Sequence, residues 1–416
     1  MALHSLRGFR DLLPPDSALF ASLEAAAREV FALYGYQEVR IPTIELKELF
    51  VKSTGETTDI VEKEMYAFTD GGGREVAVRP EGTPGVVRAY IEQNLSQNGR
   101  NAKFFYIGNM FRAERPQAGR FREFTQIGAE HIGNASPYAD AETITMLVRL
   151  LEKVGLTGCS VELNSLGCAD CRKTYRETLL NYLRLNAATL CEPCKGRIER
   201  NPLRALDCKI DGPALAEKAP RLSLCPACEE HFARTQQLLK ISGVEHKVNP
   251  GLVRGLDYYT RTVFEVRSSA LGSQDAVCGG GRYDDLVKSM GGPAAPAVGW
   301  ALGVDRLAML LKDKPAPDHS PKAFVVAASK EAGAKAYELL TAVRAAGVSA
   351  DFSSFDLSLK SQMRSADKSG ASFALIIGED ELKAGTCAVK PLKQPGEQKI
   401  IPLPETPSTL SQLLKG

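Results

Sequence analysis

The chain has 416 residues, 44% of them hydrophobic, which is enough to bury more than one core and to divide into two or three domains. Its 52 lysines and arginines nearly balance 50 aspartates and glutamates, so the net charge of +2 makes no global case for or against nucleic acid, and any basic site has to be local. The longest apolar stretches fall far short of a membrane span, and Met1 to Phe9 lacks the apolar centre of a signal peptide, which points to the cytoplasm. In that reducing compartment the ten cysteines are expected to be thiols or metal ligands rather than a disulfide framework.

Along the chain, the Asp16-Ser17 pair is expected to cap a helix through Leu19, Leu23, Ala27, Val30, Phe31 and Tyr34, ended by Gly35. Gln37 to Ile41 alternates as a strand until Pro42, and a second helical stretch lies around Leu46 to Phe50. Met65 to Gly72 and Glu75 to Arg79 predict a hairpin, and a helix follows Glu81-Gly82-Thr83-Pro84 to about Asn94. Two β-rich runs, Lys103 to Ile107 and Phe121 to Ile127, flank the polar segment Arg112 to Arg120, which reads as a long hairpin with a mobile basic tip. After a helix from Ala139 to Val154 and a strand ending at Asn164 the composition changes, because seven of the ten cysteines fall between Cys168 and Cys228. This segment reads as a helical insertion. Strand character returns at Thr262 to Val266, and a run from Ala297 to Arg306 leads into an apolar helix. Lys312 to Pro321, with its prolines and charges, predicts a linker, beyond which strands alternate with helices as in a small α/β domain. The first part, by contrast, reads as an antiparallel α+β core.

Three segments place an arginine on or beside β-structure: Arg112, Arg254 and Arg306. Three fixed cations in a near-neutral chain suit a polyanion such as a nucleotide triphosphate, with Arg120 and Arg122 adding charge and Phe124 offering a flat face to a base. No Gly-x-x-x-x-Gly-Lys-Ser/Thr run occurs, so phosphates are not held by a P-loop. The turn Arg254-Gly255-Leu256-Asp257-Tyr258-Tyr259 joins such a cation to two aromatic walls ending in hydroxyls. Cys168-x-x-Cys171, Cys191-x-x-Cys194 and Cys225-x-x-Cys228 each have zinc-ligand spacing, with Cys208 between them. Two of these pairs suffice for one tetrahedral zinc, and Cys191, Cys194, Cys225 and Cys228 form the candidate set; the alternative is buried thiols packed as small hydrophobes.

Several of these stretches together resemble one family. Phe111-Arg112-Ala113-Glu114 through Phe124 and Gln126 is similar to motif 2 of class II aminoacyl-tRNA synthetases, and Gly299 to Arg306 to their motif 3. Leu252 to Tyr259 resembles the signature of the histidyl-tRNA synthetases, as do Arg79 to Thr83, Leu163 to Gly167, Gly279 to Asp284 and Leu359 to Lys368 in their own positions. The resemblance spans nearly the whole chain and is weakest in the cysteine-rich insertion. It implies a class II antiparallel catalytic core at 1–165 and 246–311, a helical insertion at 166–245, a linker at 312–321 and an α/β anticodon-binding domain at 322–416.

The resemblance further implies that histidine and ATP, with Mg2+, form histidyl-adenylate, and that the acyl group passes to histidine tRNA. By resemblance, Arg112 holds the α-phosphate and the carboxylate, Glu114 meets the adenine edge, Phe124 stacks on adenine, Arg306 grips the γ-phosphate and Arg254 stabilises the α-phosphate. Histidine would be bound by Glu81, Gly82, Thr83, Arg112, Gln126, Glu130, Arg254, Tyr258 and Tyr259, with Glu81, Thr83 and Gln126 at the amino group and Glu130, Tyr258 and Tyr259 around the imidazole. Arg115, Gln117 and Arg120 would reach the tRNA acceptor end, and the segment from Gly35 to Leu49 resembles motif 1, which implies a homodimer. A competing expectation is a catalytically inactive paralogue, either a regulatory subunit of histidine biosynthesis or a tRNA-sensing module. An intact signature, three arginines and a C-terminal domain argue for the enzyme.

Overall fold

The structure, a computed structural model, describes residues 3–414 apart from 56, 57, 99, 100, 118, 207, 209, 269, 271–275 and 313–319. The chain divides into two compact units, Met1–Ala316 and Pro317–Gly416. Most of the expected linker at 312–321 lies outside the described residues.

In the first unit, α1 (Asp16–Leu33) buries Phe20, Leu23, Ala27, Val30 and Phe31, the face that the sequence periodicity marks. Its expected cap differs. Pro15 occupies the capping position with no side-chain hydrogen bond, and Asp16 is the first helical residue, where a carboxylate favours the positive end of the helix dipole. Strand β1 (Gln37–Glu38) is shorter than expected, although Val39 N still donates to Phe105 O at 2.8 Å. Next come β2 (Ile44–Leu46), α2 (Lys47–Thr54), β3 (Ala67–Thr69), β4 (Glu75–Val78) and α3 (Thr83–Glu92), with β3 and β4 paired as the expected hairpin. The long hairpin is β5 (Ala102–Phe111) and β6 (Glu123–Ile132), followed by α4 (Pro137–Lys153) and β7 (Ser160–Ser165).

The cysteine-rich stretch is helical as expected: α5 (Ala169–Leu185), α6 (Glu192–Arg197), α7 (Gly212–Lys218) and α8 (Pro226–Ile241). The core then resumes with β8 (His246–Val248), β9 (Thr260–Arg267), β10 (Ala276–Arg282), α9 (Leu286–Ser289), β11 (Ala297–Gly303) and α10 (Val304–Leu311). Among the described residues, eight strands form one sheet in the order β1-β5-β6-β11-β10-β9-β7-β8. Its inner pairs are antiparallel, and the pairs at its two edges, β1 with β5 and β7 with β8, are parallel.

Register decides what each face of this sheet carries, because side chains alternate along a strand and directly opposed residues share a face. On one face Phe105, Ile127, Ala129, Trp300, Leu302, Phe264 and Val266 join α1, α4 and α10 in the main core. On the other, β6 presents Phe124, Gln126, Gly128 and Glu130, with Gly299, Ala301 and Gly303 of β11 opposite the last three. Gly279 and Gly281 of β10 extend the same row of small residues. The glycines and Ala301 thus leave a shallow floor between larger side chains of the same face, among them Tyr106 opposite Gly128 and Val263 opposite Gly281.

The second unit contains β12 (Ala323–Ala327), α11 (Gly333–Ala345), β13 (Ala350–Phe352), α12 (Leu359–Lys368), β14 (Phe373–Ile377), α13 (Glu379–Ala384), β15 (Thr386–Pro391), β16 (Lys399–Pro402) and α14 (Thr406–Leu413). The parallel strands β13, β12 and β14 match the expected α/β pattern, and β15 and β16 add an antiparallel edge that strand–helix alternation does not reveal. Gln362 of α12 is buried yet satisfied, accepting from Ala327 N at 3.0 Å and donating to Ala327 O at 2.8 Å.

Candidate active site

A cavity of about 420 Å³ opens over the glycine-rich floor. Its walls include Glu81, Thr83, Arg112, Glu114, Phe124, Gln126, Glu130, Arg254, Tyr258, Tyr259 and Arg306. The structure therefore gathers in one place residues from β5–β6, the start of α3, the turn before β9 and the start of α10.

The innermost wall is a buried polar cluster. Thr83 Oγ1 donates to Glu130 Oε1 at 2.6 Å, and Tyr283 OH donates to Glu130 Oε2. Tyr258 OH donates to Glu81 Oε2 at 3.2 Å, while Glu81 Oε1 has no hydrogen-bond partner among the described residues. Tyr106 OH donates to Gln126 Oε1 at 3.2 Å. Burial pushes Glu130 up to about 8 against the lowering effect of the Thr83 and Tyr283 hydroxyls, and the nearby Glu81 charge adds to the rise. Burial likewise raises Glu81 to about 7, opposed by the Arg112 charge and the Tyr258 hydroxyl. Two buried carboxyls in one pocket, one with an open oxygen, form a receptor for a small cation and for N–H donors. The rings of Tyr258 and Tyr259, 4.7 Å apart between centroids, supply its apolar wall.

The outer part is cationic. Arg112 donates from Nε to Pro80 O at 2.9 Å and lies 5.3 Å from the centre of the Phe124 ring. Arg254 pairs with Glu265 on β9 and lies 5.9 Å from the centre of the Tyr259 ring. Gly279 makes this position possible, since a Cβ there would collide with the Arg254 guanidinium. Arg306 donates from Nη1 to Ala276 O. Beside it on the cavity wall, the two oxygens of Asp305 accept from Thr125 N at 2.9 Å and Arg10 Nη2 at 2.8 Å, which ties α10 to β6.

Gly82 is not on the cavity wall. It sits just before α3, where the Tyr106 ring packs so closely that no Cβ fits. Arg115, Gln117 and Arg120 line a neighbouring hollow of about 690 Å³ with Lys63 and Glu64, and Glu114 and Arg120 border both spaces. Gln117 and Arg120 close the tip through paired backbone hydrogen bonds of 3.1 and 2.9 Å, and Arg120 Nη1 reaches Glu114 Oε2 at 3.3 Å.

The candidate zinc set of Cys191, Cys194, Cys225 and Cys228 does not assemble. Cys225 and Cys228 meet Cys168 and Cys171, whereas Cys191 and Cys194 meet Cys208 and Asp211. The reason is topological: α5 and α8 begin beside each other where the chain leaves and rejoins the core, while Cys191 and Cys194 at α6 meet Cys208 and Asp211, which lead into α7. Spacing within a pair identifies each two-residue knuckle but not which knuckles become neighbours.

Sequence reasoning also missed Tyr106, Tyr283 and Glu265. Tyr283 sits in the Gly279-Gly280-Gly281-Arg282-Tyr283-Asp284 run but had no assigned role, and Glu265 is a lone carboxylate between apolar strand residues, a signal that can be read. Tyr106 alternates with core residues and carries no local mark.

A histidyl-tRNA synthetase family model matches residues 8–307, and an anticodon-binding-domain model matches residues 322–413. A histidine–tRNA ligase of Elusimicrobium minutum is 54% identical over 95% of this chain and 96% of its own length. One from Geobacter sulfurreducens is 46% identical over 96% and 97%. The crystal structure of apo histidyl-tRNA synthetase from S. aureus superposes with a TM-score of 0.85 at 32% identity, covering 98% of this chain and all of that one. With a family model spanning most of its length and relatives this similar, the chain belongs to the histidyl-tRNA synthetase family.

Proposed function

We propose that the protein activates L-histidine with ATP, forming histidyl-adenylate and pyrophosphate, and transfers the histidyl group to the 3′ end of histidine tRNA. The observation that carries this reading is the joining, in one cavity, of a buried carboxylate pair, Glu81 and Glu130, with the cations Arg112, Arg254 and Arg306. The reaction needs no enzyme nucleophile. The histidine carboxylate attacks the α-phosphate, so the protein has to orient two anions and neutralise the charge that builds between them.

In this reading the open Glu81 oxygen takes the histidine ammonium beside Thr83 and Gln126, and Gly82 lets the chain pass close to Tyr106. Glu130, whose carboxylate has acceptor capacity beyond the Thr83 and Tyr283 hydroxyls, meets the imidazole between Tyr258 and Tyr259. Arg112 and Arg254 hold the α-phosphate and the carboxylate, Phe124 stacks on adenine, Glu114 meets its edge and Arg306 grips the γ-phosphate. Mg2+ would accompany ATP as part of the MgATP substrate and would neutralise charge on its β- and γ-phosphates.

The polar tip with Arg115, Gln117 and Arg120 contacts the tRNA acceptor end, and the domain at 322–416 binds the anticodon. The catalytic core consists of 1–165 and 246–311, interrupted by the insertion at 166–245 and followed by the linker at 312–321. The protein works as a homodimer in the cytoplasm. No described helix is long and apolar enough to cross a membrane. Histidine-dependent exchange of pyrophosphate into ATP tests the proposal, and its absence in folded protein would instead favour the inactive regulatory or tRNA-sensing paralogue.

A further inference from the structure

We propose that the cysteine-rich insertion holds two zinc ions, one on Cys168, Cys171, Cys225 and Cys228 and one on Cys191, Cys194, Cys208 and Asp211. In each group the ligand atoms lie within 4.8 Å of one another. A tetrahedral zinc with bonds of about 2.3 Å to sulfur has sulfur–sulfur edges of about 3.8 Å. Cys168 and Cys171 lie 3.6 Å apart at sulfur, and Cys191 and Cys208 lie 3.7 Å apart. These separations suit ligands of one ion and are far too long for a disulfide bond.

The first site is made by two equivalent knuckles. Cys168 and Cys225 each stand at the capping position of their helix, α5 and α8, and Cys171 and Cys228 lie in the first turn. Helix N-termini stabilise thiolates, and Cys225 N donates to Cys171 Sγ at 3.2 Å, the kind of amide contact that disperses charge from a metal-bound sulfur. Gly167, at φ +65°, bends the chain ahead of the first knuckle, and a Cβ there would collide with Cys171. The ion would clamp the two helices that carry the chain away from the core and back to it.

The second site lies within the outer module. Cys191 caps α6, Asp211 precedes α7, and Cys208 Sγ accepts from Ile210 N at 3.4 Å. Cys191 N donates to both Asp211 oxygens, at 3.0 and 3.3 Å, which leaves lone pairs on each for a metal. The module needs such a fastening, because its own buried apolar cluster among the described residues is limited to Leu179, Leu183, Leu190, Cys194, Ile198, Ala205 and Leu215. A core of that size seldom holds a small unit together without a metal or disulfide.

Elemental analysis of the full chain, purified without chelator, is expected to find about two zinc ions per chain, each held with the affinity of a structural site. Cys225→Ser and Cys208→Ser should each reduce this to about one. Reconstitution with Co2+ should give the thiolate charge-transfer absorption and visible bands of tetrahedral cobalt, and the insertion thiols should react with Ellman's reagent only after chelation. The wild-type spectrum and thiol titration decide the matter even if a variant does not fold. Zinc content unchanged by Cys225→Ser overturns the first site, and content unchanged by Cys208→Ser overturns the second. Folded wild-type protein that takes up neither zinc nor cobalt, with all thiols titrating at once, overturns both.

Discussion

Asn201 Nδ2 donates to Asp257 Oδ1 at 2.9 Å, so a residue of the insertion fastens the turn that carries Arg254 to the cavity. From α5, Arg172 Nη1 adds a second tie, to Tyr259 O at 3.0 Å. Loss of one such partly buried hydrogen bond is worth about 1 kcal/mol, or roughly fivefold in rate if the turn is needed in the transition state. Asn201→Ala is therefore expected to slow histidine-dependent pyrophosphate exchange about fivefold while leaving the melting temperature nearly unchanged. An unaltered exchange rate would show that the turn holds its position without the insertion.

Arg254 and Tyr259 are adjacent in the cavity but are expected to fail differently when removed. Arg254→Ala takes away a fixed cation where charge develops, a change that lowers kcat on the order of 100-fold, with a smaller effect on the KM for histidine. Tyr259→Ala removes a wall of the imidazole pocket and should mainly raise that KM. Exchange assays over a range of histidine concentrations separate the two. An Arg254→Ala protein that activates histidine at the normal rate would remove its catalytic role.

The buried carboxyls give stability a definite pH dependence. Glu81 and Glu130 have folded values of about 7 and about 8, above the ordinary 4.5. A raised carboxyl binds its proton more tightly in the folded state, so its contribution is fully present below 4.5 and lost as pH rises through the folded value. Thermal melts of ligand-free protein should thus decline between about pH 5 and pH 9, and Glu130→Gln should flatten that decline. The same groups predict that histidine binding weakens below about pH 7, where Glu81 is neutral, and that binding releases protons, which calorimetry in buffers of different ionisation heat detects. Equal heats in all buffers would contradict this.

Arg282 is fully buried and donates from Nε to Asp140 Oδ2 at 2.9 Å, the same oxygen that lies 2.9 Å from His231 Nε2. Arg282→Met would leave Asp140 buried with its main charge partner gone, a loss of about 3–5 kcal/mol. Denaturant titration should show this as a lower midpoint, and an unchanged midpoint would mean that the histidine alone satisfies the carboxylate.

At the hairpin tip, Gln117→Ala should alter discrimination among histidine tRNAs that differ at the acceptor end while leaving adenylate formation intact. Aminoacylation of such tRNA variants measures this, and an unchanged preference would assign Gln117 to closing the tip alone.

Much of this was readable in the chain, for reasons that differ from residue to residue. The α1 face, the β5–β6 hairpin and the helices of the insertion follow from local periodicity and turn residues, and Arg112, Arg254 and Arg306 stand out as cations beside glycines and aromatics. What escaped was set by contacts distant in sequence. Tyr106 matters because Gly82 and Gly128 leave room for its ring, and Glu265 because β9 lies beside β10 in a register that puts it across from Gly279, over which Arg254 lies. The cysteine groups were missed in the same way, each knuckle being local and their pairing a property of the fold.

The parallel pairing of β7 with β8, Val161 opposite His246, gives the long helical stretch between them a topological necessity. Two parallel neighbours cannot be joined by a tight turn, so the chain has to travel back along the sheet before the second strand can begin. The cysteine-rich segment is that return path. Shortening it is tolerable only while enough chain remains to make the journey, and a cut down to a hairpin loop would reverse β8 or remove it from the sheet's edge.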